Sequence, residues 1–215
     1  MDIHSSNINF QSKINFVSDF DFRGKFYGKT LFKEIPFIKD NPSVAVGDNF
    51  FSKGIRTCSG GGLISPDSTA VGFHFHDSLN TLNNINNNID ELFIKNPSAT
   101  SGLLIGGKNL KSAPFSVPQF DKLKEAFLSR LKNVSIFEKH HFPDEESNFI
   151  YSLKDDTWTI LTGYSNAPME FVDYEATSVD SLRKAFSKIR IAEGDELFIQ
   201  GKPVTKSDAP DFFDK

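Results

Sequence analysis

Three short apolar segments follow one another between residues 44 and 73: Val44-Ala45-Val46, Gly62-Leu63-Ile64 and Ala70-Val71-Gly72-Phe73. Runs this short, bounded by Gly, Pro, Asn and Asp, read as strands of a buried sheet. Ser65-Pro66-Asp67-Ser68 supplies hairpin chemistry between the last two, because Pro fixes its own φ and Asp bonds the local backbone. Upstream, Ile8-Asn9-Phe10 and Ile14-Asn15-Phe16 alternate apolar and polar residues, the period of half-buried strands, and Gly24 and Gly28 read as turns between them. Residues 1–40 are therefore expected to form a β-rich N-terminal extension, closed by a break at Asn41-Pro42-Ser43.

Helical spacing takes over further on. After Ser78 as N-cap, Leu79, Leu82, Ile85, Ile89, Leu92 and Phe93 predict a helix over 78–94, with the asparagines between 83 and 88 on its solvated face. Residues 101–107 read as an apolar strand ending in a turn, 117–131 as an amphipathic helix through Phe120, Leu123, Phe127 and Leu131, and 134–137 as a strand. Residues 149–153 and 157–161 flank Lys154-Asp155-Asp156 as a second hairpin. Val179, Leu182, Phe186 and Ile189 predict a helix over 178–191, and 197–199 a closing strand. Strands first, then helices interspersed with strands, predict an α+β fold with a mixed or antiparallel sheet or sandwich core flanked by helices. The 215 residues fit a single domain, in which 44–110 carry the candidate catalytic core. With 23 phenylalanines, that core is expected to be built on aromatic volume.

The formal charge of -4 is spread over interleaved acidic and basic residues. No Lys/Arg block is present to neutralise a phosphate backbone, so nucleic acid is not an expected partner. A single cysteine forms no intramolecular disulfide, which suits a reducing compartment. Residues 1–7 carry no basic segment followed by an apolar one, and no run reaches bilayer length, so membrane insertion is not expected. These features predict a cytoplasmic protein, or one delivered into a host cell's cytosol without a Sec signal.

That one cysteine, Cys58, stands in Arg56-Thr57-Cys58-Ser59-Gly60-Gly61-Gly62, and Gly72-Phe73-His74-Phe75-His76-Asp77 follows one strand later. A thiol acts as a nucleophile only when an imidazole or another group takes its proton or lowers its pKa. His74 is the preferred base, with His76 on the same side of the strand and Asp77 on the other. Ser52 or Thr57 can orient the imidazole or bond the amide. Backbone N–H groups near Ser59, Gly60 and Gly61 are candidate donors to the substrate oxygen. The plainer reading makes Cys58 a small buried hydrophobe and the glycines a bulge or turn. Neither glycine cluster is a phosphate loop, because Gly-Lys-Ser/Thr is missing and Gly106-Gly107-Lys108 is followed by Asn109. A rival chemistry uses His74 and His76 as metal ligands in a β-sandwich, but Asn80, Thr81 and Leu82 stand where the next ligand is needed, and His140-His141 with Asp144, Glu145 and Glu146 reads as a solvated loop. No metal and no cofactor are expected.

The cysteine turn and the histidine strand together resemble a superfamily of Cys-His glutamine deamidases: chemoreceptor deamidases of the CheD type, cytotoxic necrotizing factors and the Burkholderia lethal factor. Ile55-Arg56-Thr57-Cys58-Ser59-Gly60 matches their Gly/Ser-rich turn, and Phe73-His74-Phe75-His76-Asp77 is similar to the aromatic-His-apolar-Asp sequence of the lethal factor. Six positions before the cysteine, where some members have threonine, this chain has Ser52. The cysteine turn departs from their Ser-Gly-Cys or Gly-Ser-Cys order. The resemblance spans residues 44–110 and implies a Cys58 nucleophile, a His74 base, a protein partner bearing a reactive glutamine, and an effector or toxin role. The remaining alternatives are a metal enzyme on the His-x-His pair and a non-enzymatic interaction protein.

Overall fold

The computed structural model describes residues 12–28, 31–67, 69–140, 145–164 and 174–213. Two mixed sheets carry the fold. The first runs β14 (Lys202–Val204), β13 (Glu196–Ile199), β1 (Lys13–Phe16), β10 (Thr157–Tyr164), β9 (Glu145–Ser152), β4 (Asn49–Ile55) and β2 (Lys33–Glu34), with β11 (Tyr174–Glu175) attached to β10. The second runs β12 (Phe186–Arg190), β8 (Asn133–Lys139), β7 (Ser101–Gly106), β5 (Ser59–Ile64), β6 (Ala70–Phe75) and β3 (Pro42–Val46). β1 lies parallel to both its neighbours and β7 parallel to β8, while the hairpin pairs β5–β6 and β9–β10 are antiparallel.

The sheets face each other across one apolar core that draws Phe16, Phe50, Phe149, Tyr151 and Trp158 from the first and Leu103, Ile105, Phe137 and Phe186 from the second. Aromatic rings fill it as expected: Tyr151 lies 4.6 Å from Trp158 and 5.3 Å from Phe50, and Phe16 lies 5.2 Å from Phe137 between ring centroids. The ring-filled space explains the glycines opposite it. A Cβ on Gly62 would come within 2.9 Å of Trp158, and one on Gly61 (φ +148°) within 1.9 Å of the Leu103 carbonyl oxygen. The glycine run is therefore a central strand whose missing side chains admit the rings, and not a turn.

Helices cover both outer faces. α3 (Ile85–Lys95) and α4 (Ser116–Arg130) bury Ile85, Ile89, Leu92, Phe120, Leu123 and Phe127 against Leu63, Phe73 and Phe75 of the second sheet. α2 (Leu79–Asn83) precedes α3, so the helix expected over 78–94 is two helices that meet at Asn84, and Ser78 does cap the first by accepting the Thr81 N–H. On the other side, α1 (Asp19–Phe26) packs Phe22 against Ile150 and Leu161. This corrects the reading of residues 1–40: their described part includes a helix, with Gly24 inside it, and β1 is an interior strand and no extension. Ser18 decides that local choice by capping the helix through the Asp21 N–H, after which Phe22 and Phe26 stack one turn apart. Ile8 and Phe10 lie outside the described residues.

The second correction falls on 178–191. α5 (Val179–Ala185) starts at a Ser178–Ser181 capping box but stops after seven residues, and β12 continues in its place as an edge partner of β8. A bulge between Phe186 and Lys188 lets Phe186 and Ile189 both bury, so helical spacing is satisfied by a bulged strand. Among the described residues no helix is long and apolar enough to cross a membrane.

Candidate active site

β4 alternates buried and half-buried residues, so Phe50, Ser52 and Gly54 turn toward the second sheet. The chain bulges after Ser52, where the Gly54 N–H binds Asn148 Oδ1 at 2.7 Å, and then crosses to the second sheet through 56–58. This crossing places Ser52 and Cys58 on opposite sheets at the same end of the sandwich. Ser52 Oγ lies 2.8 Å from Nδ1 of His74 on β6 and 3.3 Å from the Ile35 carbonyl oxygen. Ser52 has one proton and that carbonyl can only accept, so the network assigns Ser52 O–H to Ile35 and His74 Nδ1–H to Ser52 Oγ. The second ring nitrogen, Nε2, then carries the lone pair. It is buried and has no hydrogen-bond partner.

Cys58 occupies the bend before β5. Its thiol is 3% exposed and His74 is 1% exposed. No hydrogen bond joins them, since Nδ1 is taken by Ser52 and Nε2 is unpartnered. The backbone N–H groups of Asp77 and of Cys58 itself favour the thiolate. Burial pushes the thiol up to about 12, and the nearby Asp77 carboxylate adds to the rise, against these N–H groups and the charge of Lys139. Burial and then the neighbouring His76 hold the His74 imidazole down at about 3. Thiol and imidazole are thus both buried and both neutral.

The other site residues take different places. Thr57 makes no hydrogen bond to His74 among the described residues; its carbonyl accepts the Ser116 hydroxyl at 2.5 Å, and its hydroxyl favours the charged form of Asp77. Ser59, Gly60 and Gly61 are buried in β5, with ladders to β6 along all three and to β7 from Gly60 on, so their backbone groups serve the sheet and not a substrate oxygen. His76 is half-buried and accepts the Asp40 N–H at Nδ1, 2.9 Å away, with an Asp40 carboxylate oxygen at 3.5 Å. It pins segment 36–41, whose Phe37 ring stands 5.7 Å from His74 and 5.0 Å from His76 edge-on. Asn80 holds the same segment through the Asp40 carbonyl at 2.7 Å. Among the described residues no three His, Cys, Asp or Glu side chains are grouped to hold a metal ion, and His141 and Asp144 lie outside them.

Neither the models of known protein families nor the curated proteins give a significant match to this chain.

Residues beyond the sequence reading complete the site. Continuing the Ser59–Phe75 register sets Cys58 opposite His76 and Thr57 opposite Asp77, so hairpin arithmetic alone would have brought Asp77 to the cysteine turn. Asp77 keeps one carboxylate oxygen, Oδ1, buried and unpartnered, and burial raises it to about 6 against hydrogen bonds from Thr57 and the Phe115 backbone. At the ends of β8 and β9, Lys139 and Glu145 are buried and face each other at 3.5 Å, and Lys108 donates to the Glu145 carbonyl oxygen. Burial lowers the Lys139 ammonium, while Glu145, Glu146 and Cys58 favour it. A buried lysine is the local counter-charge for a thiolate.

Proposed function

We propose that this chain is a cysteine-dependent amidohydrolase that deamidates a glutamine side chain presented by a partner protein. One observation carries the reading: the Ile35–Ser52–His74 chain of hydrogen bonds fixes the imidazole tautomer and leaves Nε2 as a desolvated lone pair in the strand that pairs with the cysteine turn. In the reaction, Sγ bonds to the carboxamide carbon while the thiol proton passes to His74 Nε2. Nε2 gives that proton to the amide nitrogen, the C–N bond breaks, ammonia leaves and a thioester remains. Water then gives a proton to Nε2 and its oxygen to the carbonyl carbon, and the thiol is restored as glutamate departs.

The buried thiol and imidazole make the described arrangement a resting form, which must open before Nε2 meets Sγ and a substrate. Burial of Cys58 also supports a second reading, an interaction protein in which this residue only packs. A proteome incubated with the full chain separates the two by Gln-to-Glu mass shifts. Conversion that disappears in both Cys58→Ser and His74→Ala, with the circular dichroism of each variant unchanged, is the expected outcome; conversion that survives either change, or none with the unaltered chain, overturns the deamidase.

A further inference from the structure

A cavity of about 140 Å³ lies between α5 and the end of the first sheet, and its wall holds neither Cys58 nor His74. Most of that wall is small and apolar, with Ala176 beyond β11 and Ala185 of α5 both buried. Tyr164 and Ser181 are half-buried, and the exposed Lys184 marks the side open to solvent. The Ser181 hydroxyl is already engaged, donating to the Ser178 carbonyl oxygen at 2.9 Å and accepting the Ser178 N–H at 2.8 Å. The remaining polar group of the wall is Glu145, whose side chain is 1% exposed. Its Oε1 faces Lys139 Nζ at 3.5 Å, and Lys139 is not part of the wall. Oε2 is the oxygen left over, buried and without a hydrogen-bond partner. Buried acceptors without donors are rare, and one in the wall of a cavity is suited to a donor that a ligand brings.

Charge and size narrow that ligand. Lys139 already supplies a counter-charge to Glu145, and the Lys108 ammonium donates to the Glu145 carbonyl oxygen, so a cationic ligand would meet two ammonium groups. A carboxylate ligand would meet Glu145 as like charge. A neutral O–H avoids both penalties, and an apolar cavity of roughly 150 Å³ is large enough for a benzene ring. We propose that this cavity is a binding site for a small phenol, whose ring lies among Tyr164, Ala176 and Ala185 and whose O–H donates to Glu145 Oε2. The proposal is independent of the deamidase reading, because no residue of the Ile35–Ser52–His74 chain or the cysteine turn takes part in it.

Methyl NMR of the full chain carrying ¹³C-labelled alanine tests it, with phenol and toluene as ligands of one size that differ in the O–H. Phenol is expected to shift the Ala176 and Ala185 methyl signals saturably, at concentrations that leave the circular dichroism unchanged. In Glu145→Gln, Lys139 keeps the amide oxygen and the –NH2 group replaces the acceptor. The ratio of phenol to toluene affinity is then expected to fall about tenfold or more, the worth of one hydrogen bond to a charged acceptor, and the different solubilities of the two ligands cancel in that comparison. Ala185→Leu fills the cavity while sparing Glu145, and should weaken both ligands at the Ala176 signal; it decides the matter where Glu145→Gln does not fold. Absence of any shift at the two methyls, as a cavity holding only water would give, overturns the proposal. So does a phenol-to-toluene ratio that Glu145→Gln leaves unaltered, or phenol binding that survives Ala185→Leu at full strength.

Discussion

The two ends of the inter-sheet space are both polar, and they are built differently. At one end, Asp156 accepts from Ser12 at 2.9 Å and from Tyr151 at 3.0 Å, and Asp195 accepts from the Ser135 hydroxyl at 2.6 Å and the Ser12 N–H at 3.1 Å. Ser135 in turn accepts the Ala192 N–H at 3.0 Å. Neither these two carboxylates nor the hydroxyls around them are left over. At the other end, reached by following β8 from Ser135 to Lys139 and β9 from Tyr151 back to Glu145, buried polar atoms outnumber their partners: His74 Nε2, Ser59 Oγ, Asp77 Oδ1 and Glu145 Oε2 have none. Polar groups that only hold a fold together get satisfied, since each orphan costs about 1–3 kcal/mol. Buried polar atoms without partners occur elsewhere too, as at Ser101 Oγ, Asn49 Oδ1 and Thr159 Oγ1, but those near the cysteine turn include an imidazole nitrogen and carboxylate oxygens, groups that can take up or release a proton.

That contrast is easiest to break by stability. Ser135→Ala strips a donor from the half-buried Asp195 and an acceptor from the buried Ala192 N–H at once, and is expected to cost about 2–4 kcal/mol by the price of orphaned groups. Cys58→Ala at the opposite end removes one small, poorly bonded group and should cost about 1 kcal/mol, as a lost methyl-sized volume does. Urea midpoints at constant slope compare the two directly, and equal losses would erase the distinction between the ends.

Next in size is the pH dependence. Burial, against hydrogen bonds from Ser135 and Ser12, raises Asp195 to about 6, so the folded chain holds this proton more tightly than the unfolded one. Its contribution to stability is therefore present at pH 4 and is lost as pH rises toward 6. His74 slopes the other way: its folded pKa is depressed, so the unfolded chain takes up a proton first and stability is lost as pH falls below about 6.5. Asp77 adds to the Asp195 leg. Replacing Asp195 by asparagine removes its share, and relative to the unaltered chain the variant should gain roughly 2 kcal/mol between pH 4 and 6, then stay level. A difference that does not change with pH between 4 and 7 would mean that Asp195 is not desolvated in the way its surroundings require.

Much of this fold is legible in the sequence because local signals and tertiary demand agree. Ser78 caps where its neighbours need a helix, and the Ser65-Pro66-Asp67 turn joins two strands that have nowhere else to pair. Legibility fails where apolar residues satisfy two periods at once. Phe20, Phe22 and Phe26 suit alternation as well as a helix, and only the Ser18 cap and the outer face of the first sheet select the helix. Phe186 and Ile189 suit a helix, yet the open edge of β8 draws them into a strand. At the site, Ser52 and Thr57 were equal choices in the sequence for orienting the imidazole, and only the fold, by turning Ser52 of β4 inward to within 2.8 Å of His74, decides between them. Gly60 and Gly61 were misread because a run of glycines looks the same whether the backbone must turn or the neighbouring rings must approach. Phe37 and Asp40 carry no local signal at all, since their importance comes from a fold that lays segment 36–41 across β6.

That segment offers the smallest effect and the finest cut between the two ends. Phe37 is half-buried, and its ring stands edge-on to both imidazoles. Phe37→Ala should lower stability by about 1 kcal/mol, the value of a partly buried ring, and should leave the Asp156 and Asp195 cluster unaltered. Its larger consequence is kinetic. Diethyl pyrocarbonate attacks a neutral imidazole, which His74 is across the whole neutral range, so carbethoxylation of His74 followed by peptide mass spectrometry measures how often the segment opens. Faster modification of His74 in Phe37→Ala, with His76 changing less because Asp40 still holds its Nδ1, is the expected result. Unchanged modification would show that the imidazole is sealed by the sheets themselves, leaving the unsatisfied end no route by which a ligand could satisfy it.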